Sequence, residues 1–542
     1  MLNNFKTYLE KIQVTPLSWL AGISGVLMIR FFLESFSNPS SSGFFASDAS
    51  TLVHYYLFFL AVAVVFMIFL QLVIPSWKKV IPQLTAISFL AVLIGPIADF
   101  IISGGKGFRM AYLFNTPKEM LVSFFTFFGG NLYTGVTLGI RIEIVLMLLF
   151  IGLLVYFIEK SWFRAIVSVI SLYILIFIFL SLPGVMNAIG GQDMAGNYFK
   201  EPFTFIQKSI ENSITISNNL HNSLEYSSFV RLFEIAFNFL IGKIFFLILI
   251  IATFIWFRLN FKEKLRAVIK NSRPERVTHY FLMIFVGLFA AYSIFPNIRL
   301  NWNDSLSVIV LCLSFYFSWM FAVSTNDIVD EEIDAVSDPT RPLIANSLSK
   351  KDMKESATIF LVATLISGFL AGYTAFFFIL TFTALYYIYS VPPTRFKTIP
   401  FFSSFIIGLC CLTAVLAGFF LISPFKYVSV FPSKLALAVV VIFFLGSHIR
   451  DMKDIEGDKK AGIKTVPIIF GDIWGPRVVG IFASVSFLLI PIFMGSYVLF
   501  ASAIPASLVV YYFINRKPYF EKYIFRTYFA FIIASFLLLI WI

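Results

Sequence analysis

The sequence predicts an all-α polytopic membrane protein, and three observations predict this class. Of the 542 residues, 59% are hydrophobic and only 13% are charged. Apolar runs of about 18 residues or more, the length that a helix needs to cross a bilayer, recur along the whole chain. The alternating segments of roughly ten residues that are typical of a membrane β-barrel do not occur. The chain therefore predicts a bundle of membrane-spanning helices.

The first half of the chain contains six of these apolar runs. They lie near residues 16–35, 51–75, 80–103, 141–158, 163–183 and 235–257. Two longer polar segments, 104–140 and 184–234, separate some of them. Asp99 and Glu143 fall inside or beside predicted spans, where an ionisable group is a functional candidate. Both also lie near span ends, so a solvated position at the interface is an equal alternative.

A strongly basic stretch, 258–276, separates this first half from a second group of nine apolar runs. These lie near 279–296, 305–325, 356–373, 374–391, 401–422, 433–449, 477–494, 496–514 and 525–542. We therefore expect an N-terminal membrane domain at 1–257, a basic cytoplasmic linker at 258–276 and a second domain at 277–542.

The net charge of +12 does not indicate nucleic-acid binding, because most of the 41 basic residues lie in short loops between spans. The positive-inside rule assigns such loops to the cytoplasm. With 15 spans, this places the N-terminus and the polar loops of the second half inside. Cys312, Cys410 and Cys411 lie in apolar runs and are expected to be buried thiols. The composition fits a prokaryotic plasma membrane.

Two acidic motifs follow predicted spans on the cytoplasmic side. The first, "NDIVDEEID", contains Asp327, Asp330 and Asp334, and the second, "DMKDIEGD", contains Asp451, Asp454 and Asp458. Both have the spacing D-x-x-D-x-x-x-D, which returns to one face of an α-helix. Each motif therefore predicts a stripe of three carboxylates. Glu331, Glu332, Asp338 and Glu456 lie off these stripes and are expected to be surface charges.

Carboxylates crowded on one face repel one another, and a divalent cation removes that repulsion. Mg²⁺ prefers hard oxygen ligands and keeps open positions for phosphate oxygens. Two facing stripes could thus hold Mg²⁺ ions that grip a diphosphate. One acidic run alone is more simply a solvated helix end, but two runs of the same spacing on the same side favour a site.

The loop "YYIYSVPPTRFK" supplies Tyr389, Arg395 and Lys397. Two adjacent prolines stop the preceding helix and hold the basic residues in a short turn. Arg395 and Lys397 beside a leaving diphosphate would stabilise its developing charge, whereas the alternative is that they are topological anchors. Further candidates for binding the substrate are Asn326, Asp327, Arg341 and Lys459.

At these residues the second half resembles the UbiA superfamily of intramembrane prenyltransferases. Asn326, Asp327, Asp330 and Asp334 reproduce its first motif, N-D-x-x-D-x-x-x-D, and Arg341-Pro342-Leu343 follows as in the family. The segments Tyr389–Lys397 and Asp451–Gly471 match its central loop and its second aspartate motif. Nine spans is also the family's number. The resemblance covers residues 277 to 542 and does not extend to the first half.

The resemblance implies a nine-helix bundle whose cavity opens to lipid and is capped by the motif loops. Asn326, Asp330 and Asp334, with Asp451, Asp454 and Asp458, would bind two Mg²⁺ that carry an isoprenyl diphosphate. Ionisation of its C–O bond gives an allylic cation, which aromatic faces such as Phe315, Tyr316 and Trp319 would stabilise, unless these rings only pack. An acceptor then attacks the cation, and a second-motif aspartate would orient or deprotonate it.

We therefore predict transfer of an isoprenyl group to an aromatic or lipid-alcohol acceptor in the membrane, with release of pyrophosphate. The alternative is a transporter or flippase of an anionic prenyl lipid, since charges within spans also occur in transporters. Transporter sites normally lie near the bilayer midplane, however, whereas these acids cluster at one surface. The N-terminal half would be structural, or would recruit a partner enzyme or deliver the acceptor.

Overall fold

The computed structural model of the protein describes residues 2–37, 48–105, 112, 117–129, 136–182, 226–298 and 300–540. The chain forms two compact units, Met1–Asn260 and Phe261–Ile542. Within the described residues, 15 helices are long and apolar enough to cross a membrane. This confirms the predicted all-α membrane class and the predicted number of spans. Most of the polar segment 184–234 lies outside the described residues.

The first unit consists of helices of very different lengths. They are α1 Leu2–Lys11, α2 Pro16–Ser37, α3 Ala49–Val73, α4 Ile81–Ser88, α5 Ile94–Ile102, α6 Pro117–Phe125, α7 Leu138–Glu159, α8 Trp162–Leu180 and α9 Tyr226–Asn260. Helices α4 and α5 belong to one candidate span, Pro75–Ile102. That span is interrupted by a 3-10 segment, Phe89–Leu93.

Polar groups inside the first unit are more numerous than the sequence analysis expects. Asp99 is buried and accepts hydrogen bonds from the Thr137 hydroxyl and, at 2.7 Å, from the Gly139 amide. Glu143 is paired with Arg30 of α2 at 3.0 Å, and Arg30 also contacts Glu34 at 2.9 Å. Asp99 and Glu143 are thus enclosed by protein, and the sequence analysis missed Arg30 and Glu34.

The second unit contains the remaining helices. They are α10 Lys262–Asn271, α11 Pro274–Ile294, α12 Trp302–Val329, α13 Glu331–Ser337, α14 Lys350–Ala371, α15 Tyr373–Ser390, α16 Phe402–Ile422, α17 Ser433–Gly446, α18 Ile455–Lys460, α19 Val466–Ile469, α20 Gly471–Met494, α21 Phe500–Asn515 and α22 Glu521–Ile540. Nine of its helical segments qualify as spans within the described residues.

Local sequence explains where two of these long helices begin. Asn301 accepts from the amide of Asp304, whose carboxylate accepts from the amide of Asn301, so α12 starts with a capping box. Ser349 and Asp352 form the same reciprocal pair at the start of α14. Such caps satisfy amides that the first turn leaves without partners. They fix the start of both helices that flank the first acidic motif.

Two glycines allow α11 and α16 to pack backbone against backbone. A Cβ atom at Gly287 would lie 2.0 Å from the carbonyl oxygen of Val415, and one at Gly418 would lie 2.1 Å from that of Ile284. Small residues at helix interfaces permit this close approach in membrane proteins. The contact places α16, most of whose side chains are buried, at the centre of the second unit.

Candidate active site

The first acidic motif spans the junction between α12 and α13. The Asp330 amide donates to the Asn326 carbonyl and the Asp334 amide donates to the Asp330 carbonyl, both at 2.8 Å. Residues four apart lie on one face of a helix. Asn326, Asp330 and Asp334 therefore share a face, and all three line a polar cavity in the second unit. Asp327 is one residue out of this register and does not line it.

The second acidic motif begins in a 3-10 turn, Ser447–Met452, and ends in α18. Asp454 lies at the junction, and its carbonyl accepts from the Asp458 amide at 2.8 Å. Asp451, Asp454 and Asp458 all line the same polar cavity. The second motif thus brings three carboxylates to the cavity, although Asp451 lies in a 3-10 turn and not on the α-helix that the predicted stripe assumes. The first motif brings an amide and two carboxylates.

A glycine brings the two acidic motifs together. A Cβ atom at Gly457 of α18 would lie 2.1 Å from the Ser337 hydroxyl and 3.0 Å from the Ile333 side chain, both on α13. Any larger residue would force the short helices apart. Because they touch here, the carboxylates of the two motifs lie around one cavity.

Basic and aromatic side chains complete the cavity wall. In addition to the six motif residues, the wall includes Arg273, Arg276, Trp319, Arg341, Tyr386, Tyr389, Ser390, Lys397, Arg450 and Thr465. Anionic and cationic groups are therefore interleaved. Such a cavity can hold a metal ion and an anionic ligand at the same time.

Asp330 is held by the two basic residues of the loop that follows α15. Nη2 of Arg395 donates to its Oδ1 at 2.8 Å, and Nζ of Lys397 donates to its Oδ2. Lys397 also contacts Oδ1 of Asn326 at 3.3 Å. The structure thus joins the central loop to the first acidic motif, as the site hypothesis requires. Arg395 makes this contact without itself lining the cavity.

Arg341 links Asp327 to Asp334. Its Nη1 contacts Oδ1 of Asp327 at 3.2 Å and also donates to Oδ2 of Asp334. Arg273 adds a contact of 2.6 Å to Oδ1 of Asp327. Asp327 is only 2% exposed, and its second oxygen has no hydrogen-bond partner among the residues that the structure describes. Asp327 therefore orients two cavity arginines from behind the wall.

Two cavity carboxyls are protonated more readily than an ordinary aspartate. Burial raises the pKa of Asp334 to about 7 despite the opposing effect of Arg341. Burial, reinforced by Asp454 and Asp451, raises the pKa of Asp458 to about 7. Their ionised forms are therefore short of compensating positive charge, which a bound cation would supply.

The donor set fits a magnesium ion. All six motif side chains offer hard oxygen atoms, the ligands that Mg²⁺ prefers. Within the described part of the chain, no three His, Cys, Asp or Glu side chains already converge as a metal site. Asp330 and Asp334 instead face basic side chains. Loading of a metal would therefore require these carboxylates to exchange partners.

A second, apolar cavity adjoins the polar one. Its wall includes His279, Tyr280, Phe443, Phe487, Phe525 and Tyr528. Arg276, Trp319, Tyr386 and Arg450 line both cavities and form their common boundary. Arg450 lies over the Tyr389 ring at 5.7 Å. The site therefore has a charged end and a hydrocarbon end.

Some predicted residues lie elsewhere. Lys459 is exposed and pairs with Asp472 at 2.6 Å, and Phe315 is buried against Phe382. Neither of them lines the polar or the apolar cavity. Tyr316 lines neither of these two cavities, whereas Trp319 lines both. Glu331, Glu332, Asp338 and Glu456 are not among the lining residues.

Three cavity arginines were missed by the sequence analysis. Arg273 and Arg276 come from the end of the basic stretch 258–276, which we expected to serve as a linker. Their position directly before a span that leads into the site was the available signal. Arg450 immediately precedes Asp451, so its place beside the second motif was the signal there.

The second unit is similar in sequence to known proteins. The model of the UbiA prenyltransferase family matches residues 280–536. A digeranylgeranylglyceryl phosphate synthase from Methanococcus aeolicus is 31% identical over 223 residues, which cover 40% of this chain and 71% of the relative. The synthase of the same name from Pyrococcus horikoshii is 24% identical over 206 residues, covering 38% of this chain and 69% of the relative.

Among solved structures, one similar to this chain is a UbiA homolog from Archaeoglobus fulgidus bound to GPP and Mg²⁺. The similarity covers 50% of this chain and 99% of the homolog, with 21% identity and a TM-score of 0.40.

The family match confirms the predicted resemblance and favours an enzyme over the transporter alternative. The chain belongs to the UbiA prenyltransferase family and is a membrane enzyme that transfers an isoprenyl group to an acceptor.

Proposed function

We propose that the protein uses Mg²⁺ to transfer an isoprenyl group from its diphosphate to a lipid alcohol, with release of pyrophosphate. The observation that carries this proposal is that the charged and apolar cavities adjoin and share Arg276, Trp319, Tyr386 and Arg450 in their walls. An isoprenyl diphosphate has the same division into a charged end and a hydrocarbon end. An aromatic acceptor is the alternative substrate class.

The diphosphate would occupy the polar cavity. Asn326, Asp330 and Asp334 on one wall, with Asp451, Asp454 and Asp458 on the other, would hold Mg²⁺. When bound, the metal neutralises diphosphate oxygens and makes pyrophosphate a better leaving group. The diphosphate would also bind directly to three basic side chains of the protein. These are Lys397 and Arg395, which pair with Asp330 in the structure, and Arg341.

The isoprenyl chain would lie in the apolar cavity. Its reacting carbon would then be near the boundary, where the Trp319 and Tyr386 rings lie. Aromatic faces attract a cation through the ring quadrupole, so these rings would stabilise the allylic cation left when the C–O bond breaks. The apolar wall also keeps water from that cation. This division of roles explains why the two cavities meet at aromatic residues.

The acceptor completes the reaction. Its hydroxyl oxygen forms a bond to the allylic carbon, pyrophosphate leaves with the electron pair of the broken C–O bond, and the hydroxyl proton passes to a carboxylate of the second motif. The matched relatives bear the name digeranylgeranylglyceryl phosphate synthase, which favours a lipid alcohol over an aromatic ring.

We also propose the arrangement of the chain in the membrane. Residues 1–257 form a membrane domain, 277–542 form the prenyltransferase domain, and 258–276 join them while supplying Arg273 and Arg276 to the site. The distribution of basic residues supports a cytoplasmic N-terminus and cytoplasmic motif loops. The composition supports a prokaryotic plasma membrane as the location.

The test is pyrophosphate release by the full chain in lipid nanodiscs. The donor is geranylgeranyl diphosphate, and the acceptors are a panel of lipid alcohols and phenolic quinone precursors, each with Mg²⁺ or with EDTA. Asp454→Asn is compared with Glu456→Gln, an exposed acid in the same segment that does not line the cavity. We expect Mg²⁺-dependent release with a lipid alcohol, lost only in Asp454→Asn. Release without metal, or equal loss in both variants, contradicts the proposal.

A further inference from the structure

A membrane span of the first unit is broken near its middle. Between α4 and α5 the backbone forms a 3-10 segment, Phe89–Leu93, inside the candidate span Pro75–Ile102. Irregular backbone at membrane depth is tolerated where protein groups satisfy it or where it lines a cavity. Protein groups satisfy the backbone here, because the Val92 carbonyl accepts from Arg30 and the Gly95 amide donates to Oε2 of Glu143 at 3.1 Å. Phe89 and Val92 also line a cavity.

The charged groups at this break come from two other spans. Arg30 of α2 is 1% exposed, contacts Glu34 at 2.9 Å and Glu143 of α7 at 3.0 Å, and lies 4.6 Å from the centre of the Phe59 ring. A charged group buried at membrane depth is expensive and usually functional. Among the described residues, two carboxylates surround one guanidinium, so these three groups carry no excess positive charge that would attract a phosphate.

A cavity opens directly onto this group. Arg30 and Glu143 lie on its wall, and most of the remaining wall is aliphatic or aromatic, including Phe58, Phe89 and Phe179. Both hydrogen bonds of Glu143 end on its Oε2, and Oε1 accepts none among the described residues. The Glu143 side chain retains 14% exposure. The cavity thus offers one hydrogen-bond acceptor inside an apolar wall.

We propose that this cavity is a second lipid site, which binds the hydroxyl end of a long-chain alcohol from the bilayer. The hydroxyl donates to Oε1 of Glu143, and the adjoining carbons pack against the Phe58, Phe89 and Phe179 rings. A phosphate head group is excluded because Glu34 and Glu143 already occupy the guanidinium of Arg30. The inference concerns the first unit only and does not depend on the chemistry proposed for the second.

The experiment uses a photoreactive probe, geranylgeraniol carrying a diazirine near its hydroxyl end, with the full chain in lipid nanodiscs. Labelled peptides are mapped by mass spectrometry. Met147→Trp fills the cavity one turn from Glu143, and Leu149→Trp adds the same ring at a position of α7 that is 57% exposed. Labels are expected in α3, α7 and α8, with about a tenfold loss in Met147→Trp and none in Leu149→Trp.

Two further measurements test the head-group recognition. Glu143→Gln keeps the size of the side chain but removes its charge, and it should weaken labelling about tenfold because the hydroxyl then donates to a neutral acceptor instead of an ionised one. The phosphate ester of the same probe should fail to label the cavity. Unchanged labelling in Met147→Trp, or equal labelling by the phosphate ester, overturns the proposal. Pyrophosphate release by each variant, expected to be unchanged, shows that the protein remains folded.

Discussion

Nη2 of Arg395 donates a 2.8 Å hydrogen bond to Oδ1 of Asp330, although 65 residues separate them in the sequence. Lys397 contacts the other oxygen of the same carboxylate. In the proposed reaction Asp330 would bind metal, and Arg395 and Lys397 would bind the diphosphate. Without substrate, the two basic side chains lie where the metal would bind, and Asp330 lies where the diphosphate would bind. Binding of the metal and the diphosphate would exchange these partners. The pairing gives the Asp330 carboxylate two positive partners while no metal is bound.

Replacement of Asp330 by Asn tests this exchange. The substitution removes the negative charge that pairs with both basic residues and would also remove one metal ligand. We expect kcat/KM for pyrophosphate release to fall about 100-fold, the usual effect of losing one electrostatic group of an active site. The matched control is Glu332→Gln, two residues away, exposed and not part of the cavity wall. A similar loss in the control would assign the effect to the charge of the whole segment.

Arg450→Lys tests the boundary between the two cavities. Nε of Arg450 donates to the Ser447 carbonyl at 3.2 Å, and the guanidinium lies beside the Tyr389 ring. Lysine keeps the charge but lacks the planar group that stacks and donates in two directions. We expect the KM for the isoprenyl diphosphate to rise about tenfold, equivalent to ~1.4 kcal/mol of binding energy. Arg477 is exposed, so the control Arg477→Lys should leave KM unchanged. If Arg450→Lys also leaves KM unchanged, Arg450 is not part of the binding site.

A double-mutant cycle on Asp327 and Arg341 tests whether Asp327 acts from behind the cavity wall. Both side chains are buried, so Arg341→Gln removes one of the positive partners of the Asp327 carboxylate. We expect the free energy of unfolding, measured by denaturant titration in detergent micelles, to fall by about 3 kcal/mol.

Combining Arg341→Gln with Asp327→Asn should recover part of that loss, because the carboxylate that lost its partner is then neutral. The control cycle uses Glu263 and Arg266, whose side chains are 80% and 61% exposed. An exposed pair contributes about 0.5 kcal/mol or less. Equal coupling energies in the two cycles would refute the role assigned to Asp327.

The raised pKa values of Asp334 and Asp458 predict how the stability of the metal-free protein depends on pH. Each carboxyl has a pKa raised from 3.8 to about 7 in the folded chain. Protonation therefore favours the folded state, and this contribution is present below the unfolded pKa and is lost as pH rises through about 7. With EDTA present, we expect a lower melting temperature at about pH 8 than at about pH 6.

Addition of Mg²⁺ should reverse that difference, because the ionised carboxylates then have a cation to bind. Asp458→Asn removes one titrating group and should reduce the pH dependence measured in EDTA. The prediction is contradicted if the melting temperature in EDTA is higher at about pH 8 than at about pH 6 and if Asp458→Asn does not change this difference.

The sequence by itself determined the membrane class, the number of spans and the chemistry of the second half. Hydropathy is a local property, so a run such as that of α16 indicates a span before any neighbour is known. The spacing of the two acidic motifs is also local. It predicts three carboxylates on one helix face, and in the structure all three side chains line one cavity.

The tertiary structure decided which side chains meet. A shift of one residue turns a helical side chain by about 100°, so the packing of α12, and not its motif, places Asn326 in the cavity and Asp327 behind it. Gly457 brings the second motif against the first only because α13 lies in contact with it. The pairing of Arg30 with Glu143 joins residues 113 positions apart. Such contacts depend on how helices pack against one another, and no periodicity within a single segment records that packing.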